Sequence, residues 1–289
     1  MKFGVTLPQT EIGGDIHFIR RFAETAEVLG FDFLLAYDHV LGADPTNRPG
    51  WAGYTDQDSF HEPFVLFGYL AAVAPKLEYV PGVIILPQRQ TVLVAKQAAE
   101  VDLLTGGKFR LGVGIGWNDV EYEALGENFK TRGRRFEEQI TLLRRLWTEP
   151  LITFEGADHR VTAAGLNPMP IQQPIPLWIG GMSDIAIERA GRVADGWMAN
   201  GHPDDALVKR VALLHTSAER AGRNPKSLGI DGRIDAASVP ASEWPAEIAR
   251  WEAAGATHVS LSTMRAGFSQ DDQIDAITRF RDATANRRS

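Results

Sequence analysis

Amphipathic helical stretches recur along this chain, each ending at a glycine turn that opens into a short apolar run. Residues 16–29 place Ile16, Ile19, Phe22, Ala23, Ala26 and Leu29 on one helical face, with Asp15 positioned to cap the start and Gly30 to stop the end. The apolar run Phe33-Leu34-Leu35-Ala36 follows. The same order returns from 98–104 through Gly106-Gly107 into 109–113, and from 185–194 through Gly196 into Trp197-Met198-Ala199. It returns again from 248–254 through Gly255 into Val259-Ser260-Leu261. Helix followed by apolar strand, several times over, predicts βαβ units and a parallel sheet.

Strand candidates near 2–7, 32–37, 79–86, 109–115, 176–180, 196–199, 228–233 and 257–262 number eight, which is what an α/β fold of the (β/α)8 TIM-barrel type needs to close. The rival, a doubly wound open sheet, would want a glycine-rich dinucleotide turn after the first strand, and Pro8-Gln9-Thr10-Glu11 is not one. Two intervals exceed plain connections. The insertion at about 39–62 is rich in Gly, Pro, Asp and Asn and carries Trp51, Tyr54 and Phe60, as a lid or binding loop would. The insertion at about 117–175 holds a helix with Phe136, Ile140, Leu143 and Trp147 in step, then a hairpin or arm from 151–154 and 159–161. No linker divides the chain, so one barrel domain over 1–289 is expected.

Composition narrows the chemistry. The 289 residues suit one α/β barrel, a fold of ~250 residues. A net charge of -7 argues against nucleic acid or an anionic membrane as the main partner, while leaving room for an anionic cofactor held by local arginines. With no cysteine, disulfides, thiol nucleophiles and Cys-ligated metals are excluded. No apolar run approaches the ~20 residues of a membrane span, and the opening Met1-Lys2-Phe3-Gly4-Val5 reads at once as a strand, so a cytoplasmic location is expected.

In such barrels the chemistry gathers where strands end. Gly180-Gly181, then Ser183 and a helix, lets backbone approach a ligand and offers unpaired N–H groups to a phosphate; the alternative is a tight turn with a Ser cap. Gly112, Gly114 and Gly116 alternate in strand four, either making room for a planar ligand or relieving crowding in the core. Asp38-His39 ends strand two and is the acid/base candidate, against a His that merely bonds a loop carbonyl. His61, before Pro63, is read mainly as structural.

These residues also resemble a family. Lys2-Phe3-Gly4-Val5-Thr6-Leu7-Pro8-Gln9, Asp38-His39 and Leu86-Pro87-Gln88-Arg89-Gln90 are similar to the luciferase-like monooxygenase superfamily. So are the run from Gly106 to Trp117, Pro176-Leu177-Trp178-Ile179-Gly180-Gly181 and Ala194-Asp195-Gly196-Trp197. The resemblance is carried by the chain up to about residue 200. Within the superfamily the chain looks nearest to the actinobacterial branch that uses the deazaflavin coenzyme F-420 (8-hydroxy-5-deazaflavin). The resemblance implies an insertion-bearing barrel and a bulge with a non-proline cis peptide under the cofactor ring, here near Val83-Ile84. It implies phosphate contacts at Gly180, Gly181, Met182 and Ser183, and the acidic-His pair at Asp38 and His39. Some deazaflavin dehydrogenases of the family carry a catalytic Glu after strand four; Trp117 stands there in this chain, which sets it apart from sugar-phosphate dehydrogenation.

The expected activity is hydride transfer between coenzyme F-420 and a small organic substrate, the ring lying against Gly114 and Gly116, with His39 moving the proton, Asp38 orienting it and Asn118 bonding substrate or ring. Arg48, Arg89, Arg233 and Arg265 are candidates for the coenzyme's anionic tail. The alternative on the same scaffold is an FMN-dependent monooxygenase using oxygen. A metal-dependent hydrolase would want several His and carboxylates at strand ends, and only His39 and His202 stand there, so no metal is expected. A non-catalytic binding barrel is the remaining class. By family analogy alone, the exposed ends of the barrel helices could pair two copies.

Overall fold

The computed structural model describes residues 1–285. Its strands are β1 (Lys2–Thr6), β2 (Phe33–Ala36), β3 (Glu78–Pro81), β4 (Ile84–Ile85), β5 (Leu111–Gly114), β6 (Ile152–Glu155), β7 (Arg160–Ala164), β8 (Leu177–Gly180), β9 (Gly196–Met198), β10 (Gly229–Asp235) and β11 (His258–Ser262). Nine of them form one sheet in the order β3-β2-β1-β11-β10-β9-β8-β5-β4, and its strand pairs are parallel. The two end pieces, β3 and β4, are successive parts of one run broken at Gly82-Val83. The sheet therefore meets itself: β4 pairs with β5, and Tyr79 of β3 bridges Phe109 just below it. The nine pieces make eight barrel positions, as the apolar runs predicted.

Helices α1 (Gln9–Ile12), α2 (Ile16–Val28), α3 (Pro63–Val73), α4 (Thr91–Leu104), α5 (Asp119–Ala124), α6 (Arg132–Thr148), α7 (Asp184–Val193), α8 (Asp205–Arg220), α9 (Trp244–Ala253) and α10 (Gln270–Thr284) surround the sheet or follow its strands. The start of α2 shows how sequence sets these ends. Asp15 accepts from the backbone N–H groups of His17 and Phe18, and Gly30 follows at φ +73°, a conformation open to glycine. The cap also corrects the predicted face. Phe18 turns inward and packs with Phe22 at 6.1 Å, while Ile16 in the first turn stays 46% exposed.

Two apolar layers result. The larger lies between sheet and helices; the smaller fills the barrel itself with Phe33, Leu35, Val80, Trp178 and Met198. Glycines admit the large rings: a Cβ on Gly229 or Gly196 would come within 2.0 and 2.4 Å of the Trp178 indole.

The insertion at 39–62 holds a short 3-10 turn, Pro45–Asn47, and is tied internally by Trp51 Nε1 donating to the Tyr54 carbonyl at 2.8 Å. The second insertion forms α5, α6 and the antiparallel hairpin β6–β7. His159 at the hairpin clips the arm down, through Nδ1 to Glu138 at 2.7 Å and Nε2 to Thr91 Oγ1 at 2.6 Å. Among the described residues no helix is long and apolar enough to cross a membrane.

Candidate functional site

The C-terminal strand ends surround a cavity of about 420 Å3. His39 lines it from the end of β2, Val83 from the β3–β4 break, Trp117 from beyond β5, Gly180, Gly181 and Ser183 from the end of β8, and Arg233 from β10. The 180–183 segment and His39 thus share one rim, although they stand far apart in sequence. A second cleft of about 500 Å3, lined by Gly13, Leu41, Tyr54, Asp58 and Phe60 among others, opens on the outer side of His39.

His39 is held on two sides. Its Nδ1 lies 3.0 Å from Glu121 Oε1, and its ring packs against Tyr54 and Phe60 at 4.7 Å each and Trp117 at 5.8 Å. Glu121 is 1% exposed and its oxygens are engaged: Oε1 also accepts from the Val40 N–H at 3.0 Å, and Oε2 accepts from Gln88 Nε2 at 3.1 Å. A carboxylate that already accepts from these donors wants a third N–H from the imidazole. The proton therefore sits on Nδ1, which leaves Nε2 as the acceptor. No group among the described residues hydrogen-bonds Nε2.

Asp38 does not orient His39. Its Oδ1 accepts from Arg89 Nη2 at 2.8 Å, and its Oδ2 accepts from the Ile85 N–H at 3.2 Å. Burial pushes this carboxyl above the usual range, against the opposing pull of Arg89. Arg89 is also bound by Glu62 at 3.0 Å. Asp38 and Arg89 thus lock the bulge of the third barrel strand to the end of the second. The orienting role expected of Asp38 falls to Glu121.

The cis peptide lies between Gly82 and Val83, one residue before the expected bond. Val83 faces the cavity. Ile84 does not: it is fully buried in the layer between sheet and helices, because side chains alternate across a strand. The alternating glycines serve this bulge. An added Cβ would meet the Pro81 carbonyl oxygen at 2.1 Å from Gly112, Val83 Cγ2 at 2.7 Å from Gly114 and Ile85 Cγ2 at 2.7 Å from Gly116. Every second residue of the bulged run rests on a glycine. The crowding reading thus holds for all three, while Gly114 and Gly116 also line the cavity.

At the end of β8, Ser183 caps α7, its Oγ accepting from the Ala186 N–H at 3.3 Å. The backbone N–H groups of Met182 and Ser183 have no acceptor among the described residues. The Met182 side chain turns away from the cavity: its sulfur accepts from the Asn200 N–H at 3.2 Å. Asn118 is likewise removed from the expected role. It is 1% exposed, does not line the cavity, and caps α5 by accepting from the Val120 N–H at 3.1 Å. It contributes by starting the helix that carries Glu121. His61 is structural, its Nε2 lying 2.9 Å from the Gly13 carbonyl. Of the arginines proposed for an anionic tail, Arg48 pairs with Glu123 at 3.3 Å, Arg265 stacks over Tyr54 at 4.7 Å, and Arg233 alone lines the cavity.

Sequence reasoning passed over Glu121 and Tyr37. Asn118-x-x-Glu121 has the spacing of a capping box, in which the acid bonds its own helix start, so the pattern disguised a carboxylate aimed elsewhere. Tyr37 immediately precedes Asp38-His39 at a strand end and could have been read from that place.

The chain matches the family described as luciferase-like monooxygenase over residues 1–274, well past the point near 200 where its motifs thin. It is 31% identical over 224 residues to an FMNH(2)-dependent dimethylsulfone monooxygenase of Pseudomonas putida, covering 76% of this chain and 58% of that protein. It is 30% identical over 211 residues to an F420-dependent glucose-6-phosphate dehydrogenase of Nakamurella multipartita, covering 70% of this chain and 58% of that one. The chain thus spans somewhat over half the length of each of these two relatives. The crystal structure of the monooxygenase RslO1 from Streptomyces bottropensis superposes with a TM-score of 0.80 at 20% identity, covering 99% of both chains.

Proposed function

The chain belongs to the luciferase-like monooxygenase family, and on that premise we propose that it is an oxidoreductase that exchanges a hydride between a deazaflavin of the coenzyme F-420 type and a small organic substrate. The observation that carries this reading is His39: a buried carboxylate fixes its Nδ1, its Nε2 is left unbonded, and the residue lines the same cavity as the Gly180–Ser183 turn.

The residues present fit such a cofactor. A volume of about 420 Å3 falls within the ~300–1,000 Å3 of ligand clefts. The Met182 and Ser183 N–H groups and the positive end of α7 form a cradle for a phosphate. The same cradle suits the phosphate of FMN, and the choice of the deazaflavin rests on the resemblance carried by the sequence motifs. The exposed Asp184 carboxylate opens α7, and Arg233 lines the same cavity. When bound, the deazaflavin supplies the capacity to give or accept a hydride at a ring carbon.

The chain's own part is positioning and a proton. Val83 forms a wall of the cavity where the third strand breaks. Tyr54, Phe60 and Trp117 pack around the His39 ring and hold its orientation. A substrate gaining or losing a hydride must also exchange a proton, and the unbonded Nε2 of His39 is the atom we assign to take or give it. Glu121 fixes the tautomer and steadies the imidazolium when it forms. The similarity to the FMNH(2)-dependent relative favours a second reading, reduced-FMN monooxygenation with oxygen on the same residues.

Binding titrations with oxidised and reduced coenzyme F-420 and with FMN, read by absorbance, test the proposal. The expected result is deazaflavin binding and turnover that needs no oxygen. His39→Gln should bind cofactor as the parent does, while kcat falls by about 10²–10⁴. Tight FMN binding with oxygen-dependent turnover, and no affinity for the deazaflavin, would reject the first reading for the second.

A further inference from the structure

Arg233 lines the candidate cavity without an ion-pair partner in contact among the described residues, although the Asp235 and Asp231 carboxylates of its own strand act on it at longer range. It follows Asp231 at two-residue spacing on β10, so both side chains point into the barrel. Asp231, one step deeper, is taken by Arg110 at 3.0 Å. The other arginines near the rim are matched: Arg89 by Asp38 and Glu62, Arg48 by Glu123, and Arg265 by Asp58 at 3.9 Å. Among the described residues no carboxylate lies within 4.0 Å of Arg233. Its single hydrogen bond runs from Nη1 to the Tyr37 hydroxyl oxygen at 2.6 Å. That bond leaves the Tyr37 hydroxyl proton free to donate. None of the guanidinium nitrogens is both sealed from solvent and unbonded, so the remaining N–H groups reach the cavity, which Arg233 and Tyr37 both line.

A guanidinium in such a place is costly to leave unpaired, and its planar fork matches an oxyanion with two oxygens. Beside it, Tyr37 offers a further donor, and the Tyr54 and Trp117 rings form an apolar wall in the same cavity. We propose that Arg233 and Tyr37 form an oxyanion subsite, and that the substrate is a small organic acid whose carboxylate binds there while its apolar part lies against the Tyr54 and Trp117 rings. The assignment rests on the oxidoreductase reading for what happens to the acid, but not for its binding.

Benzoate and its uncharged isostere benzamide are the probes, titrated calorimetrically into the full chain with and without added deazaflavin. Benzoate is expected to bind and benzamide to bind at least about tenfold more weakly. Arg233→Gln should weaken benzoate by about ten- to a hundredfold, leave benzamide unchanged and leave deazaflavin affinity within about twofold. Circular dichroism verifies the fold of the variant; should Arg233→Gln not fold, Arg233→Lys, which keeps charge and loses the fork, is expected to weaken benzoate several-fold. Equal binding of both probes, or benzoate binding indifferent to residue 233, overturns the assignment. So does an Arg233 variant that loses the deazaflavin instead, because the guanidinium then serves the cofactor. Arg233-dependent benzoate binding by a chain that takes neither deazaflavin nor FMN would uphold the subsite and reject the redox reading. Cofactor binding without it would do the reverse.

Discussion

The two ends of the barrel interior treat buried charge in opposite ways. At the lower end, Arg110 sits between Asp231 at 3.0 Å and Glu78 at 3.6 Å, with its guanidinium 4.2 Å from the Trp178 ring centre and 5.0 Å from that of Phe33. At the upper end, Arg233 meets a phenol and a cavity. The same strand supplies both: Asp231 and Arg233 are one alternation apart on β10. What distinguishes them is that the lower layer is packed with rings and closed by paired charge, while the upper layer is left open. That is the usual division of a barrel into a stabilising end and a reacting end.

The largest effect is expected at Arg110. Arg110→Met leaves Asp231 and Glu78 without their cation, and should cost about 3–5 kcal/mol in urea unfolding. A loss below about 1 kcal/mol would mean the lower layer is not held by charge.

A smaller effect follows from pH. Burial, and then Arg110, pushes the His258 imidazole at the lower end down to about 2. The unfolded chain returns it to about 6.5, so between those values the unfolded state binds the extra proton. The contribution is fully present above about pH 6.5 and is lost as pH falls, by about 1.4 kcal/mol per pH unit. Thermal melts should lose about 2 kcal/mol from this group between pH 6.5 and 5, and His258→Gln should flatten that slope. An unchanged slope would place His258 in contact with solvent.

The smallest effect is expected where function is. Arg233→Gln should change unfolding free energy by only about 1 kcal/mol, since it breaks one bond to Tyr37 and no ion pair in contact. A loss matching that of Arg110→Met would make the two ends alike and Arg233 structural.

Much of the site was legible as positions and little of it as partnerships. Gly180, Gly181, Ser183 and His39 were placed at strand ends by periodicity alone, and the structure brings them to one cavity. The role given to Asp38 was wrong because its neighbour in sequence is not its neighbour in space. Ile84 and Met182 were drawn in with their neighbours, yet a single residue of strand or turn reverses the side chain's direction. Asn118 was assigned to ligand chemistry on its polarity, and instead spends its oxygen on a helix cap.

Local spacing was enough for the barrel: the order of helices and strands, the glycine turns, the Asp15 and Ser183 caps and most, though not all, of the inward faces. These depend on spacings of a few residues, which local backbone geometry enforces. Only the tertiary structure decided which charges meet. His39 finds Glu121 82 residues on, Asp38 finds Arg89 51 residues on, and Tyr37 finds Arg233 196 residues on. Such pairs are set by how closed strands bring distant ends to one rim, and no local pattern encodes that distance.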